Sequence, residues 1–277
     1  MKKLLLALAA LTALLPATSS CKKAETIKVM SYNIRNGVAS DGDNAWDLRK
    51  EATPAMLADQ DPLCFGVQEA YDFQIDYLNG QCPQYASIGV GREDGVSKGE
   101  HMSIFYKKDL VELEDWGTFW LSETPDEPSK GWDAVCFRTA TWALLKIKKT
   151  GTHFYYVNTH LEHKGVEARK NGLALIMDRI AAMNPEGWPM VLTGDLNVRP
   201  DNPCLVDLDK KMKSARIYAE KKTDKTSFNG WGRASRAIDY VYYSGFAKCK
   251  EFNVVDQSYA GKPFISDHYP VYAVLQF

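Results

Sequence analysis

Several common devices are missing from this 277-residue chain. None of its six cysteines sits in a Cys-x-x-Cys pair, which argues against a zinc ribbon. There is no Gly-x-x-x-x-Gly-Lys-Ser/Thr loop to cradle nucleotide phosphates and no His-Glu-x-x-His helix to hold a catalytic zinc. Charge of either sign is not in excess: 34 basic and 35 acidic residues give a net charge of −1, without the surplus used to grip long nucleic acid. Low-complexity tracts, internal repeats and dividing linkers are absent as well.

The one long apolar run lies at the start, in "MKKLLLALAALTALLPATSSC". A basic opening, an apolar stretch and small residues before a cysteine form a signal-peptide layout. Pro16 interrupts the run, which is short for a permanent membrane span. Small residues before Cys21 resemble a bacterial lipoprotein processing site, although Thr18, Ser19 and Ser20 match the usual pattern loosely. The expectation is an exported bacterial protein: residues 1–21 are the leader, and Cys21 is either a lipid-bearing anchor or a point of simple secretion. Export places it in the periplasm, on the outer membrane or outside the cell. Five further cysteines are an odd number, so at least one thiol should be free. Cys64 and Cys136 read as core residues, and a disulfide between Cys82 and Cys204 stays open.

Residues 22–277 suffice for one domain with a sizeable core. Nine segments rich in β-branched or aromatic residues read as strands, among them "IKVMSYNI", "LCFGVQ", "HFYYVNTH", "PMVLTGDLN", "DYVYYS" and "PVYAVLQF". A helix is expected over 164–184, where Leu173, Ile176, Met177 and Ile180 share a face. A second is expected from about 45 to 59, with Pro54 breaking the pattern. Strands outnumber helices, which predicts a single α+β domain of two stacked sheets with helices outside.

Polar residues recur where those strands end: Asn33, Glu69, Glu100, His160, Asp195, Asn197, Asp239, Asp267 and His268. Each has a plain alternative. Asn33 and Asn197 suit turns, Asp267 suits a capped turn, Glu69 and Glu100 suit solvent, and His160 suits a satisfied core. Together they form a set of oxygen donors and two histidines. Carboxylates and amides without thiolates suit a hard cation, Mg²⁺ or Mn²⁺. Such a set fits hydrolysis of a phosphoester, with a carboxylate activating water and a cation stabilising the transition state.

In order, "SYNIRN", "QE", "GE…SIFY", "NTHL", "TGDLN", "IDYV" and "SDHYPV" resemble the signature series of the endonuclease/exonuclease/phosphatase superfamily, across essentially the whole mature chain. The resemblance implies a four-layer α/β/β/α sandwich of two mixed sheets flanked by helices, and metal-dependent attack of water on phosphorus. It implies Glu69 as the main metal ligand, helped by Asn33 and Asp267. Asp195 would activate the water, with Asn197 holding it or a phosphate oxygen. His268, oriented by Asp239, would sit on the phosphoryl group. His160 with Glu100 resembles the second acid–histidine pair of the pancreatic-type deoxyribonucleases, a candidate general acid.

The substrate stays open on these motifs. Residues 114–142 form a long aromatic connection whose Trp120 and Trp132 are candidates for a substrate wall, as is Trp231 before Asp239. Arg138, in a strand made for burial, needs an anion: a substrate phosphate or a neighbouring acid. Charge balance and export favour a small, lipid-linked or sugar-linked phosphoester, with a phosphodiester preferred, acted on by a monomer with no protein partner implied. A secreted nuclease and a non-catalytic ligand-binding lipoprotein are the alternatives.

Overall fold

The computed structural model describes residues 25–277, so the leader and Cys21 lie outside the described residues. The first sheet holds β1 (Thr26–Asn33), β2 (Cys64–Gln68), β3 (Tyr85–Ile88), β4 (Ile104–Lys107), β11 (Lys248–Val254) and β12 (Val271–Gln276). Its order is β11-β12-β1-β2-β4-β3, with β1 and β2 parallel and the rest antiparallel. The second holds β5 (Val111–Trp120), β6 (Thr139–Ile147), β7 (His153–His160), β8 (Met190–Asp195), β9 (Lys213–Ser214) and β10 (Asp239–Ser244). Its order is β5-β6-β7-β8-β10-β9, with only β7 and β8 parallel.

Helices cover the outer faces. α1 (Trp46–Arg49), α2 (Ala52–Gln60) and α3 (Asp72–Gln81) pack on the first sheet through Trp46, Met56, Leu57, Ile75 and Leu78. α4 (Val166–Met183) and α5 (Val206–Lys211) pack on the second through Leu173, Ile176, Ile180 and Leu208, and α6 (Ala215–Tyr218) lies beyond β9. The result is the expected α/β/β/α sandwich, with one apolar cluster between each pair of adjacent layers.

The inner faces of the sheets place the site. Along β1, Ile27 and Val29 enter the central core, and Ser31 and Asn33 continue the same face. β7 runs Phe154, Tyr156, Asn158, His160, and β8 runs Val191, Thr193, Asp195. β10, antiparallel to β8, reads Tyr243, Val241, Asp239 in the same direction. Each inner face turns from apolar to polar at the same end of the sandwich. At the changeover Asn158 bridges the sheets, accepting from Gln68 Nε2 at 2.6 Å and donating to the Val67 carbonyl at 2.7 Å.

Several expectations need correction. The second predicted helix is two helices, and Pro54 sits in the first turn of α2, where no backbone donor is needed. Trp116 to Trp120 belong to β5, not to a loop. β5 and β11 are edge strands dense in charge, and their alternation is blurred by bulges at Leu113/Asp115 and Cys249/Glu251. Gly194 pairs inside β8, where a Cβ would lie 2.2 Å from the Thr159 carbonyl oxygen. Cys136 is half-buried rather than core, and among the described residues all five cysteines are unpaired, Cys82 and Cys204 included.

Candidate active site

The polar ends of the strands open into a cleft of about 390 Å³. Glu69, Glu100, Arg138, His160, Asp195 and Asn197 line it, with Asp267 and His268 entering from the segment before β12. Chain reversals here are tight: Arg35, Glu69 and Asn197 all take positive φ (62°, 63° and 55°), uncommon for residues with a Cβ. For Asn197 the turn reading holds. Its backbone N–H donates to Asp195 Oδ1 at 2.9 Å, an Asx-turn, which leaves Oδ2 for the cleft.

Asn33 joins the sheets. Its Nδ2 donates to Glu69 Oε1 at 3.0 Å and to Asp195 Oδ2 at 3.1 Å. Asn36 N–H donates to Glu69 Oε2 at 3.1 Å. Burial opposes ionisation of Glu69, but His268, Asn33, Asn36 and Arg35 outweigh it and keep the carboxyl below its ordinary range. Arg35 Nη1 stands 3.8 Å from both Glu69 and Asp267 while its Nε and Nη2 each bind Asp41 at 2.9 Å, so two carboxylates converge on a cation already paired elsewhere.

On the opposite side, His268 Nδ1 lies 2.8 Å from Asp239 Oδ2, and its Nε2 lies 3.7 Å from Asp195 Oδ2. Burial alone would neutralise this imidazole, but Asp239, Asp195 and Asp267 together raise it to about 10. Burial and the Asp239 charge push Asp195 up to about 7. His160 Nε2 lies 3.6 Å from Asp195 Oδ2 and 2.9 Å from Asn197 Nδ2. Burial, then Arg138 and Arg92, hold His160 far below the usual imidazole range.

That last result corrects the expected Glu100–His160 pair. Glu100 lines the cleft, but its carboxylate is bonded to Arg92, and His160 Nδ1 is buried with no partner among the described residues. The tryptophans also depart from expectation, since none of the three lines the cleft. Trp120 is buried and donates its Nε1 to the Arg92 carbonyl at 2.7 Å, so it supports the wall from behind. Trp132 and Trp231 turn at positive φ in outer loops, Trp231 against Arg49.

The walls carry arginines instead. Arg35, Arg92, Arg138 and Arg236 reach the cleft beside His163. Arg138 has the acid partner that was one of its two readings: Glu162 at 3.3 Å, with His163 Nδ1 at 3.0 Å from its Nη2. Glu162, His163 and Cys136 have metal-ligand spacing, but the Glu162 carboxylate is already taken up by Arg138, Cys136 N and Lys164 N. Sequence reasoning missed Arg35 and Arg92. Arg35 had a signal, falling within "SYNIRN", whereas Arg92 lies in a featureless polar loop. That loop also spells Gly-x-Ser-x-Gly at 95–99, but no strand-to-helix turn surrounds it and Ser97 is exposed.

The model of the endonuclease/exonuclease/phosphatase family matches residues 30–268. The chain belongs to this family. It is 35% identical to an endonuclease/exonuclease/phosphatase from Bacteroides vulgatus, with a TM-score of 0.85 over 91% of this chain and 98% of the other. A family protein from Bacteroides thetaiotaomicron is 33% identical, with a TM-score of 0.86 over 92% and 99%. A mannosyl-6-phosphatase from the same organism is 34% identical, with a TM-score of 0.86 over 91% and 100%. Family members are phosphoester hydrolases that generally use a divalent metal.

Two donor sets here could serve a metal. Asp195, Asp239 and His268 have ligand atoms within 4.8 Å of one another, but the Asp239–His268 hydrogen bond already occupies that imidazole nitrogen. Glu69 and Asp267 offer carboxylate oxygens on either side of one guanidinium, while Asn33 faces Glu69 through its Nδ2 and its Oδ1 accepts from the Arg35 N–H. That chemistry fits a hard cation.

Proposed function

We propose that this protein hydrolyses phosphoester bonds of small molecules, with Mg²⁺ or Mn²⁺ held by Glu69 and Asp267 and with the Asn33 amide orienting Glu69. The observation that carries the reading is Asp195, a buried carboxylate raised to about 7 and flanked by His160 and His268. Its proton affinity suits abstraction from water near neutral pH. A cation held there would supply Lewis-acid polarisation of the phosphoryl group and neutralise its charge. Asp195 orients the attacking water and takes its proton, and the Asn197 turn aims the carboxylate. His268, kept charged by Asp239, stabilises charge growing on the phosphoryl oxygens. His160 holds the Asn197 amide in place.

Four arginines around a cleft of about 390 Å³ favour a phosphate monoester dianion over the diester preferred from sequence. The 34% identity to a mannosyl-6-phosphatase supports a sugar phosphate. Because the tryptophans stand outside the cleft, the ligand-capture alternative loses the feature that suggested it. Export and lipid attachment at Cys21 belong to the same reading, since extracellular sugar phosphates would meet an anchored monomer; radiolabelled palmitate lost in a Cys21→Ala chain checks it.

The test is hydrolysis of p-nitrophenyl phosphate, bis-(p-nitrophenyl) phosphate and glucose 6-phosphate with Mg²⁺, Mn²⁺ or EDTA. Metal-dependent turnover, faster on the monoesters and lost in Asp195→Asn, is the expected result. Turnover that is indifferent to EDTA or to Asp195→Asn would falsify it.

A further inference from the structure

One wall of the cleft carries polar groups that phosphoester hydrolysis does not use. Glu100 is 8% exposed and Arg138 5%, so both are held rigidly in the wall. Glu100 Oε2 meets Arg92 Nη1, while Oε1 has no hydrogen bond. Arg138 spends Nε on Glu162 and Nη2 on His163, and its Nη1 has no partner. Neither free atom is among the buried unpaired groups, so both are reached from the cleft. Arg92 is fixed by its ion pair and by Trp120, which grips its carbonyl.

This wall therefore presents one anionic acceptor together with two guanidinium donors. A second phosphate wants donors only, and the Glu100 carboxylate would repel it. An apolar leaving group would strand buried polar atoms without partners. A hydroxyl both donates and accepts, so neighbouring hydroxyls answer an acceptor together with donors. We infer that Arg92, Glu100 and Arg138 form a polyol subsite that reads adjacent hydroxyls of the leaving group. Glu100 thus selects substrate and does not serve as the partner of a catalytic histidine. The inference rests on the phosphoesterase reading and names the substrate class of that site.

The test compares kcat/KM for a series of monodeoxy hexose 6-phosphates with that for p-nitrophenyl phosphate, in Mg²⁺. For the wild-type protein, removing either of two neighbouring hydroxyls should cost roughly 10–100-fold, as expected when buried polar groups lose their partners. In Glu100→Ala, the preference for hexose 6-phosphate over p-nitrophenyl phosphate should fall by a similar factor, mainly through KM. Glu100→Gln, which keeps an acceptor, should recover part of it. A flat deoxy series on the wild-type protein, or equal losses on both esters in Glu100→Ala, overturns the subsite while leaving the hydrolase standing. Hydrolysis of none of the esters with either metal overturns the phosphoesterase reading and the subsite with it.

Discussion

The Asn33 amide of the first sheet donates to the Asp195 carboxylate of the second at 3.1 Å. The same nitrogen reaches Glu69 at 3.0 Å, so one side chain sets the distance between the proposed metal ligand and the proposed base. Asn33→Ala should cost roughly 10–100-fold in kcat/KM or in metal affinity, the usual loss when a group orienting ligands is removed. Steady-state kinetics over a Mg²⁺ titration separate the two effects. A wild-type profile in that variant would refute the linking role.

Asp195 must be ionised to accept a proton from water. Without metal its pKa is raised to about 7. A cation on Glu69 and Asp267 draws it down, so kcat/KM should rise with pH along a limb centred at or below about 7. Asp195→Asn should lose the limb together with roughly 10²–10⁴ in rate, the typical share of a general base. A pH–rate profile from 5 to 9 checks both.

His268 carries a stability signature as well. Its folded pKa, about 10, lies above the ordinary 6.5. The stabilisation is complete below 6.5 and fades as pH rises through 10. The stability gap between wild type and His268→Gln should therefore be widest near pH 6 and shrink steadily toward pH 10. Urea denaturation at several pH values, without metal, measures it. A gap that grows with pH would reverse the sign and discard the buried imidazolium.

Glu69 is assigned to the metal. Glu69→Ala should leave the fold intact and raise the Mg²⁺ or Mn²⁺ concentration needed for half-maximal activity by 10-fold or more, on the order seen for altered metal-site partners. Calorimetric titration with Mn²⁺ gives the same comparison without relying on turnover. Unchanged affinity would shift the site toward Asp195, Asp239 and His268.

Gly194 tests the packing between β7 and β8. A methyl group there would meet the Thr159 carbonyl oxygen at 2.2 Å. Gly194→Ala should destabilise by roughly 1–3 kcal/mol, the usual cost of overpacking, and should displace Asp195, its neighbour. Thermal unfolding and kcat measured together should both fall.

The sequence alone determined a large part of this protein. Alternating strands and one clear amphipathic helix specified two sheets with helices outside, because those periodicities reflect burial on one face. Its motifs placed Asn33, Glu69, Asp195, Asn197, Asp239, Asp267 and His268 in one site, and the fold gathers them at the common polar end of its strands. Edge strands β5 and β11 stayed hidden because half-exposed, bulged strands dilute the period of two. Tertiary structure alone decided how the side chains are partnered. Arg92 takes Glu100 away from His160, burial with Arg138 and Arg92 lowers the His160 pKa, and Trp120 turns its polar edge to a backbone carbonyl behind the wall. Those outcomes depend on which charges meet across loops distant in the chain, and on how deeply burial strengthens their interaction. Local residue patterns carry neither quantity.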